Sequence, residues 1–413
     1  MSQMRILFIL LLIPMWVSSQ ITFTKVSTLP AIPRVNLVSF LIDNNYYISG
    51  GADSIGNILS DVWKCNLNNY IWTKQNECFF GKVFGTGGAA VGQFGIIANE
   101  LDSQSNNIKQ TWKYSPYNDT WTNLPSPPIQ TKFSAAFSYH NKFFLCFGLD
   151  TMNTHLNTIW AYDTMTSIWS QKASLPASGR DFSSVAVADS FAYFAGGRDS
   201  NYNSLTELWQ YNIIQDSWLQ LPNIPGLSRF GTMIYAYRNF ILVGFGFHNT
   251  MPNIVDHPVT GFYKLDLSNL QWTPISYTGI DTPIGSEYTC FQYNRKCFVY
   301  GRYRSSNSYY NDLWMFDPAP LHPVYEGVEE IPTPTAISLR PNPATETCTI
   351  EIDASTGVFS AVLLDIAGRE IGALGESRGS RLIFPVSQYA KGVYLVRISS
   401  EQGMTVLKKL VIE

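Results

Sequence analysis

The chain has 413 residues, of which 45% are hydrophobic, 14% aromatic and only 14% charged, and its formal net charge is −3. That balance supplies no basic field for nucleic acid, so no nucleic-acid partner is expected. The length allows more than one domain.

The first element is a leader. Arg5 precedes an apolar run from Ile6 to Ile13, continued by Met15, Trp16 and Val17 and ended by Ser18 and Ser19. A basic start, a short apolar core and small residues at the exit predict a secretory signal peptide over 1–19. Val17 and Ser19 suit the −3 and −1 positions of cleavage, which leaves Gln20 first. The apolar part is shorter than the ~20 residues of a spanning helix, and no later segment is long and apolar enough to span, so no membrane span is expected. Six cysteines follow: Cys65, Cys78, Cys146, Cys290, Cys297 and Cys348. Cys65/Cys78 and Cys290/Cys297 are candidate local pairs. Buried free thiols are the favoured state for most of them.

From residue 20 onward the chain repeats. Trp63, Trp112, Trp160, Trp209, Tyr263 and Trp314 recur every 48 to 54 residues. A second aromatic follows each of the first five, as Trp72, Trp121, Trp169, Trp218 and Trp272. Each unit reads as an apolar strand, a polar turn, a second strand ending in glycine, a polar loop, and two strands carrying the aromatics. Four short strands per repeat predict a propeller blade. One such sheet cannot bury both faces alone, whereas blades packed around an axis do.

The period and the glycine pairs Gly50-Gly51 and Gly196-Gly197 resemble the kelch family over roughly residues 21 to 320. The resemblance implies an all-β fold, a six-bladed kelch-type β-propeller over 20–317. Blade two departs most, with Ile96-Ile97-Ala98 at the glycine end. Blade six lacks a fourth strand of its own, because Pro318 and Pro320 follow its third. Thr22 to Lys25 parallels Trp72 to Lys74 one repeat earlier, so the mature N-terminus is expected to complete the last blade.

Five basic residues stand just before first strands: Arg34, Lys82, Lys132, Arg180 and Arg229, spaced 48 to 50 apart. Equivalent positions repeat around a propeller axis, so these groups are expected to ring one mouth of the channel. Glu287 stands near the corresponding place in blade six. Tyr202 and Tyr303, in loops after second strands, are expected to flank that mouth. In kelch binding modules, arginines at such positions contact acidic ligands, and the resemblance implies the same use here. An anionic glycan or an acidic peptide is the expected ligand.

Residues 318–335 carry five prolines and three glutamates and read as a stiff, exposed linker. Short alternating strands then fill 336–413 and predict a small β-sandwich. Here Pro341-Asn342-Pro343-Ala344, Leu364-Asp365-Ile366-Ala367-Gly368-Arg369, Lys391-Gly392-Val393-Tyr394-Leu395 and Leu407-Lys408-Lys409-Leu410-Val411 resemble the type IX secretion C-terminal sorting domain. The resemblance implies a Gram-negative bacterium, passage through the periplasm, the type IX secretion machinery as partner, and a secreted or outer-surface location.

No paired-carboxylate, phosphate-loop or Ser-nucleophile motif appears. The five histidines, His140, His155, His248, His257 and His322, have no site-defining spacing, which disfavours copper. Asp199 to Asn203 has the start of a calcium loop without its glycine and distal glutamate, so no metal and no cofactor is expected. The leading reading is a non-enzymatic recognition module for a glycan or a protein. The alternative is a carbohydrate-active propeller enzyme, sugar mutarotase-like or galactose-oxidase-like.

Overall fold

The computed structural model describes residues 20–78, 85, 87–101, 107–250, 253–280, 289–304, 308–321, 337–352, 358–365, 370–400 and 405–413. The signal peptide, Lys82, Glu287, Gly368 and most of the linker therefore lie outside the described residues. The chain divides into two compact units, Met1–Pro323 and Val324–Glu413.

The first unit carries six four-stranded sheets among its described residues. Five follow chain order from the inside outward or nearly so. Blade IV is typical: Ser184–Ala188, Phe191–Ala195, Leu208–Asn212 and Ser217–Leu221 pair antiparallel in that sequence. In five of the six blades the first hairpin turns on a residue that tolerates left-handed backbone, Gly92 among them. Asp43, His140, Asp189 and Asn294 take φ of 53°, 52°, 51° and 47° there.

Blades adhere through their faces. Phe137, Phe144 and Cys146 of blade III share one core with Phe194, Trp209 and Tyr211 of blade IV. The second tryptophan of a blade also reaches backward. Trp169, Trp218 and Trp272 donate Nε1 to the carbonyls of Pro125, Ala173 and Pro222 at 2.9, 2.8 and 3.1 Å. Each indole thus buries its ring while its N–H finds an acceptor in the preceding interblade segment.

Blade II explains its own glycines. A Cβ on Gly88 would lie 2.0 Å from Val38 Cγ2, and one on Gly95 would lie 2.4 Å from the Phe40 ring. At these two positions its inner strands, Gly87–Val91 and Phe94–Leu101, approach blade I too closely for a side chain.

The innermost strands of successive blades are neighbours all the way round: Val38–Ile42, Gly87–Val91, Ala135–Tyr139, Ser184–Ala188, Met233–Ala236 and Thr289–Tyr293. Closure is by the N-terminus. Thr24–Thr28 pairs antiparallel with Ser308–Phe316 and supplies the outer strand of blade VI. Phe23, just before it, is buried 4.8 Å from the Phe316 ring, the seat that Trp72 fills in blade I. Gln20–Thr22 adds a parallel pairing to Ser276–Thr278.

The second unit is a sandwich. Ile337–Arg340, Thr347–Ile352 and Arg381–Pro385 form one sheet; Glu370–Ser377, Phe359–Leu364, Gly392–Ser400 and Thr405–Ile412 form the other. Cys348, Ile350, Phe359, Leu363, Phe384, Val396 and Leu410 make their common core. All six cysteines of the chain are free thiols, so neither candidate pair is bonded.

Candidate functional site

The predicted basic ring is not where the sequence spacing put it. Arg34, Arg180 and Arg229 are 1%, 1% and 0% exposed. Arg34 donates Nη2 to Asp61 Oδ2 at 2.9 Å, pairs through Nη1 with Oδ1 of the same carboxylate, and donates Nη1 to the Gly50 carbonyl at 3.2 Å. Trp63 Nε1 donates to Asp61 Oδ2 at 2.7 Å. Burial pushes the Asp61 carboxyl up, but the Arg34 guanidinium and the Trp63 N–H pull it further down, below the ordinary carboxylate value.

Blade IV repeats the device. Arg180 Nη2 donates to Glu207 Oε2 at 2.6 Å and Nη1 to the Gly196 carbonyl at 3.4 Å, while Trp209 Nε1 donates to the same carboxylate oxygen at 2.8 Å. In blade V, Arg229 Nη1 and Nη2 donate to the carbonyls of Phe245, Gly261 and Pro225 at 3.3, 3.1 and 3.0 Å. These three arginines fasten each blade's glycine corner to its third strand from within the wall.

Lys132 belongs to a different position. The isolated bridges Val35↔Ala52, Lys132↔Leu149, Asp181↔Arg198 and Phe230↔Phe247 align it with Val35, Asp181 and Phe230, one residue after the arginine seat. Thr131 holds the arginine seat in blade III, its Oγ1 accepting from Asn99 Nδ2 at 2.9 Å and Ser134 Oγ at 2.7 Å. Asp199 is the head of a local turn. Its Oδ1 accepts the amides of Asn201 and Asn203 at 2.8 and 3.0 Å, as Asp53 and Asp150 do in their own loops. Tyr303 pairs through its main chain with Tyr309 in blade VI.

One step further along the chain lies a collar. Asn36, Gly85, Phe133, Phe182 and Gly231 occupy equivalent seats in blades I to V, and all take left-handed backbone, with φ of 52°, 60°, 56°, 48° and 51°. That twist turns each amide toward the neighbouring blade. Gly85 N–H donates to Asn36 O at 3.0 Å, Phe133 to Gly85 at 2.7 Å, Phe182 to Phe133 at 3.1 Å and Gly231 to Phe182 at 2.9 Å. The blade VI seat falls outside the described residues. Glycine and asparagine adopt this backbone readily, whereas a phenylalanine there is a bulky outlier.

The collar rims a cavity of about 230 Å³ at the head of the channel, lined by the first residues of inner strands from all six blades. Inner strands pair on one side only, so their open N–H and C=O edges face the axis. Ser134, Ser183, Ser184, Thr232 and Thr289 lie along it, but the hydroxyls of Ser134, Ser183 and Thr232 donate into the wall and that of Thr289 bonds the Tyr46 hydroxyl, while Phe133 and Phe182 add half-buried rings. Among the described lining residues the one titratable side chain is Cys290, whose thiol burial pushes up to about 11.

Around the mouth the blades stop being alike. The Phe133 and Phe182 rings stack at 4.4 Å, with Phe230 5.9 Å from Phe182. The Arg198 guanidinium carbon lies 4.7 Å from the Phe182 ring centre and 4.8 Å from that of Phe230, with Tyr202 at 5.6 Å. Arg198 donates Nε and Nη2 to the two oxygens of fully buried Asp181 at 3.0 and 2.6 Å. His155 Nε2 is 3.7 Å from Asp181 Oδ1, and its ring meets Tyr202 edge-on at 5.4 Å. Lys132 Nζ stands 6.0 Å from the Phe133 ring centre on the other flank. The repeat itself held the signal for Arg198. The residue after the glycine corner is Ala52, Leu149 and Phe247 in blades I, III and V, and an arginine in blade IV.

The chain is similar to a solved structure titled "Structure of YjhT", with a TM-score of 0.60, 12% identity, and coverage of 69% of this chain and 95% of that one. It is also 27% identical over 173 residues to Kelch-like protein 25 of Xenopus tropicalis, covering 40% of this chain. The chain spans 29% of the length of that relative. Residues 338–413 match the family described as the secretion system C-terminal sorting domain.

The tail is a type IX secretion sorting domain, and the propeller is of the kelch type. The sorting domain directs export to the cell surface or the medium. Among the described residues no helix is long and apolar enough to cross a membrane.

Several of its motif residues have visible work. Asn342 Oδ1 accepts the Val411 amide at 2.8 Å, and the Ala344 amide donates to the Val411 carbonyl at 2.8 Å, so the Pro-Asn-Pro segment clamps the last strand. Pro343 lies within that clamp. Asp365 follows the strand Phe359–Leu364, and Gly392 opens Gly392–Ser400, its neighbour in the sheet. The Tyr394 hydroxyl donates to the Ala390 carbonyl at 2.7 Å, and Lys408 pairs with Val396.

Proposed function

We propose that the protein is an exported glycan-recognition module whose ligand enters the collared mouth beside Phe133, Phe182 and Arg198. The observation that carries this reading is the pair of phenylalanines held in left-handed backbone over a polar cavity. The collar accounts for the backbone twist, but glycine fills the same seat in blades II and V at no steric cost. Retaining two aromatic rings there favours a use for the rings themselves.

A polyhydroxylated ring suits such a place. Its apolar face covers an aromatic ring, and its hydroxyls satisfy open strand edges in both directions. Arg198, held by Asp181, and Lys132 flank the aromatic pair, so an acidic substituent on the sugar is favoured over a neutral one. An acidic peptide would use the same cations but not the polar cavity.

A glycan array probed with the full mature chain tests the reading, alongside a set of acidic peptides. Binding to glycans that falls in Phe133→Ala and Phe182→Ala, and weakens as salt shortens the screening length below roughly 8 Å, is the expected result. Binding confined to the peptides overturns it.

A further inference from the structure

Resting on the glycan reading above, we infer that the mouth binds an acidic sugar together with a proton, and that His155 takes up that proton. The His155 side chain is 3% exposed, and its Nε2 is buried with no hydrogen-bond partner among the described residues. Asp181 Oδ1, on a fully buried carboxylate, lies 3.7 Å away, too far for a hydrogen bond. Both oxygens of that carboxylate already accept from Arg198, from Nε at 3.0 Å and Nη2 at 2.6 Å. An orphaned imidazole nitrogen is a costly thing to bury. A proton gives it a donor, and the carboxylate beside it is the acceptor that donor needs.

Blade IV presents Asp181, Arg198 and Tyr202 around His155, with Asp199 at the head of the turn that carries Tyr202. Arg180, whose amide donates to the Leu156 carbonyl, has its guanidinium bonded to Glu207. On the histidine's own blade, Asp150 accepts the amides of Met152 and Thr154, and Lys132 stands across the bridges Lys132↔Leu149 and Leu149↔His155. Asp181 and Arg198 cancel, so with His155 neutral the arginine offers a ligand little net charge. A proton on His155 gives Asp181 a second cation and leaves the trio with one positive charge in excess. Arg198 Nη1 has no hydrogen-bond partner among the described residues. It is then the open donor of a cation that its own carboxylate no longer neutralises.

Histidine is the side chain that changes charge between about pH 5 and 8. As pH falls and His155 gains its proton, affinity for a carboxylate-bearing sugar therefore rises, and affinity for the neutral counterpart does not. One unit charge beside such a site is worth roughly three- to tenfold in affinity. The coupling is reciprocal, so the bound anion also draws the proton in.

The test is calorimetric titration of the full mature chain with gluco- and galacto-oligosaccharides and with the uronates of the same series, at about pH 5.5 and 8 and constant ionic strength. Repeating it in buffers of different ionisation enthalpy counts the protons taken up. Uronate affinity is expected to be roughly three- to tenfold tighter at the lower pH, with neutral affinity unchanged and proton uptake accompanying uronate binding alone. His155→Gln loses the pH-dependence and the proton uptake. His248→Gln, at the blade V histidine whose Nδ1 lies 3.0 Å from Ser228 Oγ, keeps both.

Uronate affinity that is the same at both pH values, a rise shared by the neutral sugars, or a rise that survives in His155→Gln overturns the proton coupling and leaves the glycan reading intact. Binding of the neutral series alone does the same. No binding of either series at either pH removes the inference, and with peptide binding in the array it removes the glycan reading as well.

Discussion

Phe133 and Phe182 meet twice: the Phe182 amide donates to the Phe133 carbonyl at 3.1 Å, and their rings stack 4.4 Å apart with planes 21° from parallel. The first contact requires left-handed backbone at both residues, and the second requires their side chains. Glycine would serve the first alone. This separation makes the two roles measurable. At Phe182, glycine should be more stable than alanine by about 1 kcal/mol, the reverse of the usual order, because an L-residue bears the left-handed cost that glycine escapes. Urea denaturation of Phe182→Gly and Phe182→Ala reads this directly. Alanine more stable than glycine would mean that the collar does not hold this backbone in solution.

The Asp181–Arg198 pair replaces contacts that are apolar in blades I and V. Removing Arg198 alone strands a fully buried carboxylate, and Arg198→Ala should cost about 3 kcal/mol. Restoring the blade I residues at both places, Asp181→Val with Arg198→Ala, should recover most of that loss, since no charge is then left unpaired. A double-mutant cycle by denaturant titration gives the coupling. A double variant whose loss equals the sum of the two single losses would show that the pair acts independently.

Asp61 makes stability depend on acid. Its folded-state carboxyl lies below the ordinary value of about 3.9, so its contribution is full above that value and is lost as pH falls through the lower, folded one. Asp61→Asn, which keeps the shape and discards the charge, should lower the melting temperature at pH 7. The gap to the parent should close on acidification below about pH 4. A gap that stays constant down to pH 2 would contradict the ion-pair account.

The sorting domain should work on other cargo. Residues 318–413 fused to a periplasmic reporter should carry it outside a bacterium equipped with the type IX machinery. Asn342→Ala removes the acceptor of the Val411 amide, about 1 kcal/mol, and should lower the exported fraction. Retention of the unmodified fusion in the periplasm would sink the portability of this tail.

The architecture was readable because propellers write themselves in repeats: Trp63, Trp112, Trp160 and Trp209 mark one seat, and that seat fixes the blade count. The arginine seat was readable as a repeat but not as a role. Lys132 stands one residue past the arginine seat, and a one-residue slip on an extended chain reverses the side chain's direction. The carbonyls of Gly50 and Gly196, which absorb Arg34 and Arg180, carry no signature in the letters. The collar was equally silent, since asparagine, glycine and phenylalanine share a backbone angle rather than a chemistry. In the tail, Ile337–Arg340 and Glu370–Ser377 are edge strands, and the broken alternation of Glu370–Ser377 leaves little strand signal in the letters. What differed between blades, Arg198 above all, was visible as a misfit once the repeats were laid in register.

The clasp of the propeller is split between the two ends of its sequence. Thr28 Oγ1 bonds Asp312 Oδ1 across 284 residues, so the strand that emerges first waits for the strand that emerges last. During passage across the inner membrane every shorter length of chain is an open arc. Its first blade shows a bare flank, and its last finished blade shows another. No partial product gains the stability of the ring, and each shows the exposed edges by which sheets from different molecules join. The interval of greatest hazard for this protein is therefore set by how fast it is translocated, and it ends only when Ser308–Phe316 has crossed and the first strand is gathered in.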